Sequence, residues 1–318
     1  MAPATSTMVA DTISDSSAEP IAAKRKRRRG PVGSRLAFVL PAFLLASALM
    51  AWPFFETLRV SFFDWPGFGP KEFIGGDNYR GVAADKVAQS AIMNTVIYAT
   101  LTAFGTVAIG FIIATLVDRK LRGHKVIKFL VFLPVLLPTV FTSQVWLFGF
   151  DGNFGWVNDL LGWINPALNR AWLGDPATVN YVIIFVSILQ FTGFPMVIMF
   201  AALQDVPGEI HEAATMDGVG PFERARYISF PMIREAVATV FLIQLMFGFR
   251  VFDQVFVMTG GGPGRASEVA ATFVWREAFV NAKFGYAAAT AIVTTAVVAI
   301  LSMLFLTIFR PRRIEHAG

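Results

Sequence analysis

Long apolar runs separated by short polar stretches dominate this chain. An apolar run of about 18 residues or more can cross a hydrocarbon core as a helix. Such runs lie at about 36–57, 91–117, 127–149, 179–203, 236–258 and 285–309. The pattern predicts an all-α polytopic membrane protein with six spans. The stretch 204–232, between the fourth and fifth runs, carries turn chemistry of its own. Asp205 places a carboxylate near a helix start, Pro207 suits a first turn, and Asp217-Gly218 offers a residue able to take positive φ and stop the helix. A helix from about Pro207 to Met216 is expected, with Pro221 opening the next one and Pro231 marking re-entry into the membrane. Ala213 and Ala214 leave one side of that first helix without bulk, and Glu212 beside them presents an anion. Such a surface suits a socket on another protein.

Composition agrees with a membrane class. The 318 residues are 55% hydrophobic and only 15% charged, with mean hydropathy +0.58, too apolar for a soluble chain of this length. Lys and Arg then orient the spans. They concentrate in 24–35, 119–128, 224–234 and 310–313, whereas the alternate loops hold Arg59, Lys71, Arg80, Lys86, Arg170, Arg265, Arg276 and Lys283. Positive charge stays inside, which puts both termini and the Glu212 loop in the cytoplasm. Residues 1–34 read as a disordered basic cytoplasmic tail and 311–318 as a second tail. The run Lys24–Arg29, directly before a span, reads as a topology anchor touching anionic membrane lipid rather than a nucleic-acid site. Ala46-Ser47-Ala48 resembles a signal cleavage site, but the apolar stretch continues to Phe55, and a retained first helix is the favoured expectation.

Chemistry-bearing motifs are few. There is no cysteine, hence no disulfide, iron–sulfur cluster or thiol catalysis. No Gly-Lys-Ser or Gly-Lys-Thr forms a phosphate loop for ATP, and His124, His211 and His316 share no metal-ligand spacing. No catalytic constellation and no metal site are expected. The glycine run Gly260-Gly261-Gly262-Pro263-Gly264 lacks a following Lys and reads as a flexible outer turn.

Glu212-Ala213-Ala214, Gly218, Ile228 and Pro231, at their spacing, match the EAA loop of binding-protein-dependent ABC transporter permeases, with Phe230 where that family usually has Leu. Further stretches resemble the carbohydrate-uptake, MalF/UgpA-type branch: Phe73-Ile74-Gly75-Gly76-Asp77-Asn78-Tyr79, Asn94-Thr95, Phe252-Asp253 and Thr259-Gly260-Gly261-Gly262-Pro263. The resemblance covers about 35–310 and implies the MalF/MetI-like importer permease fold with a cytoplasmic coupling helix. It also implies partners: a second permease subunit, an ATPase homodimer that uses ATP and Mg, and an extracytoplasmic solute-binding protein. No cofactor is then bound by this chain, which is a non-catalytic subunit of a bacterial or archaeal cytoplasmic membrane.

For the substrate path, Gln244, Phe247, Gly248 and Val251 recur at helical spacing, combining an amide, an aromatic platform and a small gap that suit a sugar. The resemblance adds the fourth-span positions Thr192, Gly193 and Met196. Because this chain departs from the maltose-type residues at several of these positions, maltose itself is not implied. Arg250 and Asp253, three apart in the fifth run, are costly at membrane depth unless paired or facing water. They are read either as an internal ion pair or partner contact, or as path residues, in which case an anionic sugar derivative becomes plausible. Gln190 stands between a path role and an interhelical hydrogen bond. Pro134 and Pro138 predict at least a kink in the third span, a gate hinge being open. The competing readings are a stand-alone secondary transporter or channel, which would need intramembrane carboxylates beyond Asp253, and a membrane enzyme, which lacks its acid–base or nucleophile set.

Overall fold

In the computed structural model, residues 32–119 and 123–308 are described. The basic run Lys24–Arg29, residues 1–31 of the expected first tail, all of the second tail 311–318, the Lys120–Arg122 part of one basic loop, and His316 lie outside them, while 32–34, expected in the first tail, already belong to α1. Contacts divide the chain into two units, one ending at Trp52 and one from Pro53 onward, and α1 (Val32–Val60) contributes to each.

After α1 comes a two-residue antiparallel ribbon, β1 (Phe63–Asp64) with β2 (Glu72–Phe73), a small departure from an all-helical chain. The remaining helices follow in order: α2 (Asp77–Ala84), α3 (Lys86–Asp118), α4 (His124–Leu136), α5 (Thr139–Gly149), α6 (Trp156–Ile164), α7 (Val179–Phe191), α8 (Gly193–Gln204), α9 (Gly208–Met216), α10 (Pro221–Arg224), α11 (Phe230–Met232), α12 (Arg234–Phe249), α13 (Asp253–Met258), α14 (Ala270–Trp275) and α15 (Phe284–Ile308). Among the described residues, Leu40–Val60, Lys86–Asp118 and Phe284–Phe305 are long and apolar enough to cross a membrane alone. Three bent helix pairs reach the same length together, giving up to six spans.

The 33-residue helix α3 is the central post. Asp85 caps its start by accepting from the Val87 and Ala88 N–H groups at 2.8 and 3.3 Å. Its buried face is a row of small residues, including Ala91, Thr95, Ala99, Ala103, Thr106, Gly110 and Ala114. That row lets neighbouring backbones come close, the usual device where lipid supplies no hydrophobic drive between helices. A Cβ placed on Gly248 of α12 would sit 2.6 Å from the Ala99 Cα, and one on Gly110 would meet the Met196 nitrogen of α8 at 3.0 Å.

Breaks, rather than smooth spans, shape the rest. The third apolar run folds as α4 and α5 meeting at 102°, far more than a kink. Leu137, held extended (φ −82°, ψ 141°) by the following Pro138, ends α4, while Pro134 is absorbed inside it. The fourth run bends by 43° between α7 and α8, near Thr192, where Pro195 in the first turn of α8 cannot donate back to Phe191. The fifth run, expected as one helix over 236–258, stops at Phe249 and restarts at Asp253. Phe252, at φ −142° and ψ −60°, makes that corner without any proline.

The glycine run after α13 is not the flexible turn expected. Glu268, fully buried, accepts from Arg265 Nε at 2.6 Å and from Arg276 Nε at 3.0 Å. Arg276 also donates to the Gly260 carbonyl at 2.6 Å, and Asn94 of α3 donates to the Ala266 and Glu268 carbonyls at 2.9 Å. Gly260 and Gly261 take φ of +58° and +90°, so glycine shapes the loop while the buried carboxylate holds it. Alongside, Tyr286 of α15 donates to Asp85 at 2.9 Å. Burial pushes the Asp85 carboxyl upward, but the Tyr286 hydroxyl and the two cap N–H groups outweigh it and leave it below the usual aspartate range.

Candidate functional site

Two regions carry the residues singled out from sequence, and α12 joins them. The first is the loop α9–α11. α9 ends in a full Schellman motif: Val219 N–H bonds the Ala214 carbonyl at 3.0 Å, Gly218 N–H bonds Thr215 at 3.1 Å, and Gly218 has φ +71°. Pro221 opens α10, and Glu223 reaches back to the Gly220 N–H at 3.1 Å. At the other end Pro207 is the cap residue itself, and no side chain, Asp205 included, caps α9. Arg224 Nη2 donates to Thr215 Oγ1 at 2.7 Å and fastens α10 to α9.

Within this frame the alanines have different surroundings. Ala214 is buried beneath the helix, so it packs inward, while Glu212 and Ala213 are exposed. Ile228 lies in a π-turn, Ala225–Ser229, whose closing bond runs from Phe230 N–H to the Ala225 carbonyl. Pro231 follows, exposed, in α11. The loop then turns by 79° into α12 at Ile233, which is buried against Val107, Ala114, Met199, Leu203 and Val240. The α9–α11 loop is therefore braced by its own hydrogen bonds and rooted in the packing of α3, α8 and α12.

The second region is a cavity of about 380 Å³ where the helix breaks converge. Tyr98 and Thr102 line it from α3, Val135 and Thr139 from either side of the α4–α5 corner, Phe191 and Phe194 from either side of the α7–α8 bend, and residues 247, 248 and 250–254, with Gln244, from the α12–α13 corner. All six fifth-span candidates, Gln244, Phe247, Gly248, Arg250, Val251 and Asp253, stand on its wall. The four other candidates do not. Met196 is fully buried between α3 and α12, Gly193 lies against the Val131 and Phe132 backbone, Thr192 bonds the Ile188 carbonyl, and Gln190 sits in the buried network behind the cavity.

The chain break decides how Arg250 and Asp253 are used. They are no longer three apart on one helix, and they form no ion pair. Arg250 ends α12 and Asp253 begins α13, so each charge meets the helix end of opposite polarity. Both are exposed, with no hydrogen-bonding side-chain partner among the described residues. Gln244 donates to Thr106 at 3.0 Å, which fixes its amide, and the Thr102 hydroxyl on the same wall is buried.

Tyr98 and Gln254 on the wall and Ser187 behind it were not singled out from sequence, and they join Gln190 in one network. Gln254 Oε1 accepts from Tyr98 and from Ser187, and its Nε2 donates to Gln190 Oε1 at 3.0 Å. Gln190 in turn points Nε2 at the Leu137 carbonyl, 3.4 Å away. The network thus runs from the α12–α13 corner to the carbonyl freed at the α4–α5 corner. An amide inside an apolar run was the available signal for Gln254. Irregular backbone at membrane depth is tolerated only where protein or a cavity satisfies it, and here both do.

Broken helices converging on a cavity, with a rigid polar loop rooted at the other end of one of them, define a membrane permease. Residues 106–315 match the family model described as binding-protein-dependent transport system inner membrane component, and the chain belongs to that family. It is 34% identical over 282 residues to the probable ABC transporter permease protein YurN of Bacillus subtilis (strain 168), covering 87% of this chain and 96% of that protein. It is 26% identical to the trehalose/maltose transport system permease protein MalF of Thermococcus litoralis, covering 92% and 98%. Its fold is shared with a chain of the bacterial alginate ABC transporter, solved in complex with an alginate pentasaccharide-bound periplasmic protein: TM-score 0.76, 20% identity, covering 90% of this chain and 96% of that one.

Proposed function

We propose that this chain is one permease subunit of an ATP-driven importer that moves a sugar, an oligosaccharide or sugar derivative, across the cytoplasmic membrane. A second permease completes the pathway. A separate ATPase homodimer, which binds ATP and Mg, docks on the α9 loop, and an extracytoplasmic binding protein delivers substrate. Both termini and the α9 loop face the cytoplasm. This chain itself binds no cofactor and catalyses no reaction.

The observation that carries the reading is the α9 loop. Glu212 and Ala213 are exposed on a helix whose end, neighbouring helix and root are all fixed. Closure of the ATPases on ATP would move such a loop as one body, and α12 leads from its root directly to the cavity corner at 250–252. The cavity supports a sugar: Phe191, Phe194, Phe247 and Phe252 offer faces for ring C–H groups, and Thr102, Thr139, Gln244 and the two helix-end charges offer hydrogen bonds. The saccharide-linked names of relatives such as the trehalose/maltose permease support the same class. Free Arg250 leaves room for an anionic derivative.

The test is Glu212→Lys. Uptake is expected to fall to background while the subunit still inserts and is recovered at normal level; normal uptake by the variant would refute the docking role.

A further inference from the structure

The helix α6, between α5 and α7, has no part in the coupling loop or the cavity. Its rotation is fixed by the protein. Asn158, 2% exposed, donates to the Asp151 carbonyl at 2.7 Å, and the Trp156 ring lies 5.4 Å from that of Trp146 on α5. A Cβ on Gly149 would meet Trp156 at 2.8 Å, so the contact is tight. With that setting, Leu160, Trp163 and Ile164 are turned away from the protein, 52%, 87% and 79% exposed, and Phe154 just before the helix is 66% exposed.

We propose that this face is a lipid anchor: α6 lies in the plane of the membrane interface, on the side opposite the α9 loop, with Trp163 and Ile164 in the acyl-chain boundary. The bent pair α7–α8 separates α6 from α9, which places them at opposite ends of one span. Phe141 and Phe148, 57% and 54% exposed on α5, carry an exposed apolar surface up to α6, and the outward face of α6 continues it. Its composition fits lipid better than a soluble partner. Tryptophan with branched aliphatics is the interfacial pattern, and Asp159 is the only charge on the helix, whereas a protein-docking face carries a polar, hydrogen-bonding rim. Arg170, stacked on Trp172 at 4.2 Å just beyond, is placed for headgroup phosphates.

The chain has no cysteine, so Trp163→Cys or Ile164→Cys gives this subunit one thiol. Each is spin-labelled in the assembled transporter, its partners made cysteine-free, in vesicles of phosphatidylcholine and phosphatidylglycerol. Asn153→Cys serves as the aqueous reference. At 163 and 164 the label is expected to collide more with oxygen than with a water-soluble nickel chelate, the reverse of 153. Ready access of the chelate at 163 and 164 would overturn the proposal, as would shielding from both reagents, which would mark a protein partner over α6. If one variant fails to assemble, the other carries the same measurement.

Discussion

Arg224 donates a hydrogen bond to the Thr215 hydroxyl at 2.7 Å, and this single contact ties the helix bearing Glu212 to the one that leads into the membrane. Without it, the described residues hold no other side-chain hydrogen bond between α9 and α10. Force applied to α9 then reaches α12 through a looser joint.

The first expectation concerns that joint. Thr215→Val keeps the shape and removes the acceptor, so ATP hydrolysis by the assembled importer should continue while transport per ATP falls severalfold. The bond is charge-assisted and exposed, of a kind with a net contribution of about 1 kcal/mol, so stability should hardly change. Measuring uptake and phosphate release on one preparation checks the ratio; an unchanged ratio would remove Arg224–Thr215 from the coupling route.

Helix packing gives a second expectation. A Cβ on Gly248 would lie 2.6 Å from the Ala99 backbone, so Gly248→Ala must push α12 off α3. Overpacking of this kind costs about 1–3 kcal/mol. The thermal midpoint of the purified transporter should fall, with the substrate dependence of uptake shifted because the same glycine lines the cavity. A midpoint equal to the parent's would show that the two helices are not in close contact.

A third concerns the buried amide hub. Gln254→Leu leaves Gln190 Oε1 without its donor, while Tyr98 and Ser187 keep each other and the Ile183 carbonyl; a buried group left unsatisfied costs about 1–3 kcal/mol. Lower stability and reduced maximal uptake are expected together. Gln254→Glu, which keeps the acceptor but loses the donor toward Gln190, should fall between. Thermal melts and uptake rates on the two variants decide the order.

The fourth is a pH dependence. The Asp85 carboxyl sits below its ordinary value when folded, so its contribution is complete above the unfolded value and is lost as pH falls through the folded one. That places the loss below about pH 4. Asp85→Asn, which cannot titrate, should flatten that part of a melting-temperature profile and lower the midpoint at neutral pH, where the carboxylate contributes in full. An identical acid slope in the variant would assign the loss to other carboxylates.

How much of this was legible in the sequence follows from how local each feature is. The stop of α9 at Gly218 and the start of α10 at Pro221 depend on backbone preferences of those residues, and both stand where the pattern predicts. Pro138 announced a bend, but a 102° corner needs Gln190 to reach toward the carbonyl it frees, a contact 53 residues away in sequence. The α12–α13 corner had no proline to announce it, so Arg250 and Asp253 looked like neighbours on one face when they belong to two helices. The rigidity of the Gly260 loop was hidden for the same reason, because it rests on Glu268 and two arginines closing from later in the chain. Ala214 had the composition of an open docking surface, yet it is buried, and of these three residues Glu212 and Ala213 are the exposed ones.

The measurement that bears most directly on the central claim is co-purification of the tagged chain from its native membrane, with ATPase activity assayed with and without sugar-loaded binding protein. Recovery of a second permease and an ATPase, with hydrolysis stimulated by the loaded binding protein and lost in Glu212→Lys, is the expected result. Recovery of the chain alone, with no nucleotide-hydrolysing partner, would contradict the docking role of α9 and the importer built on it.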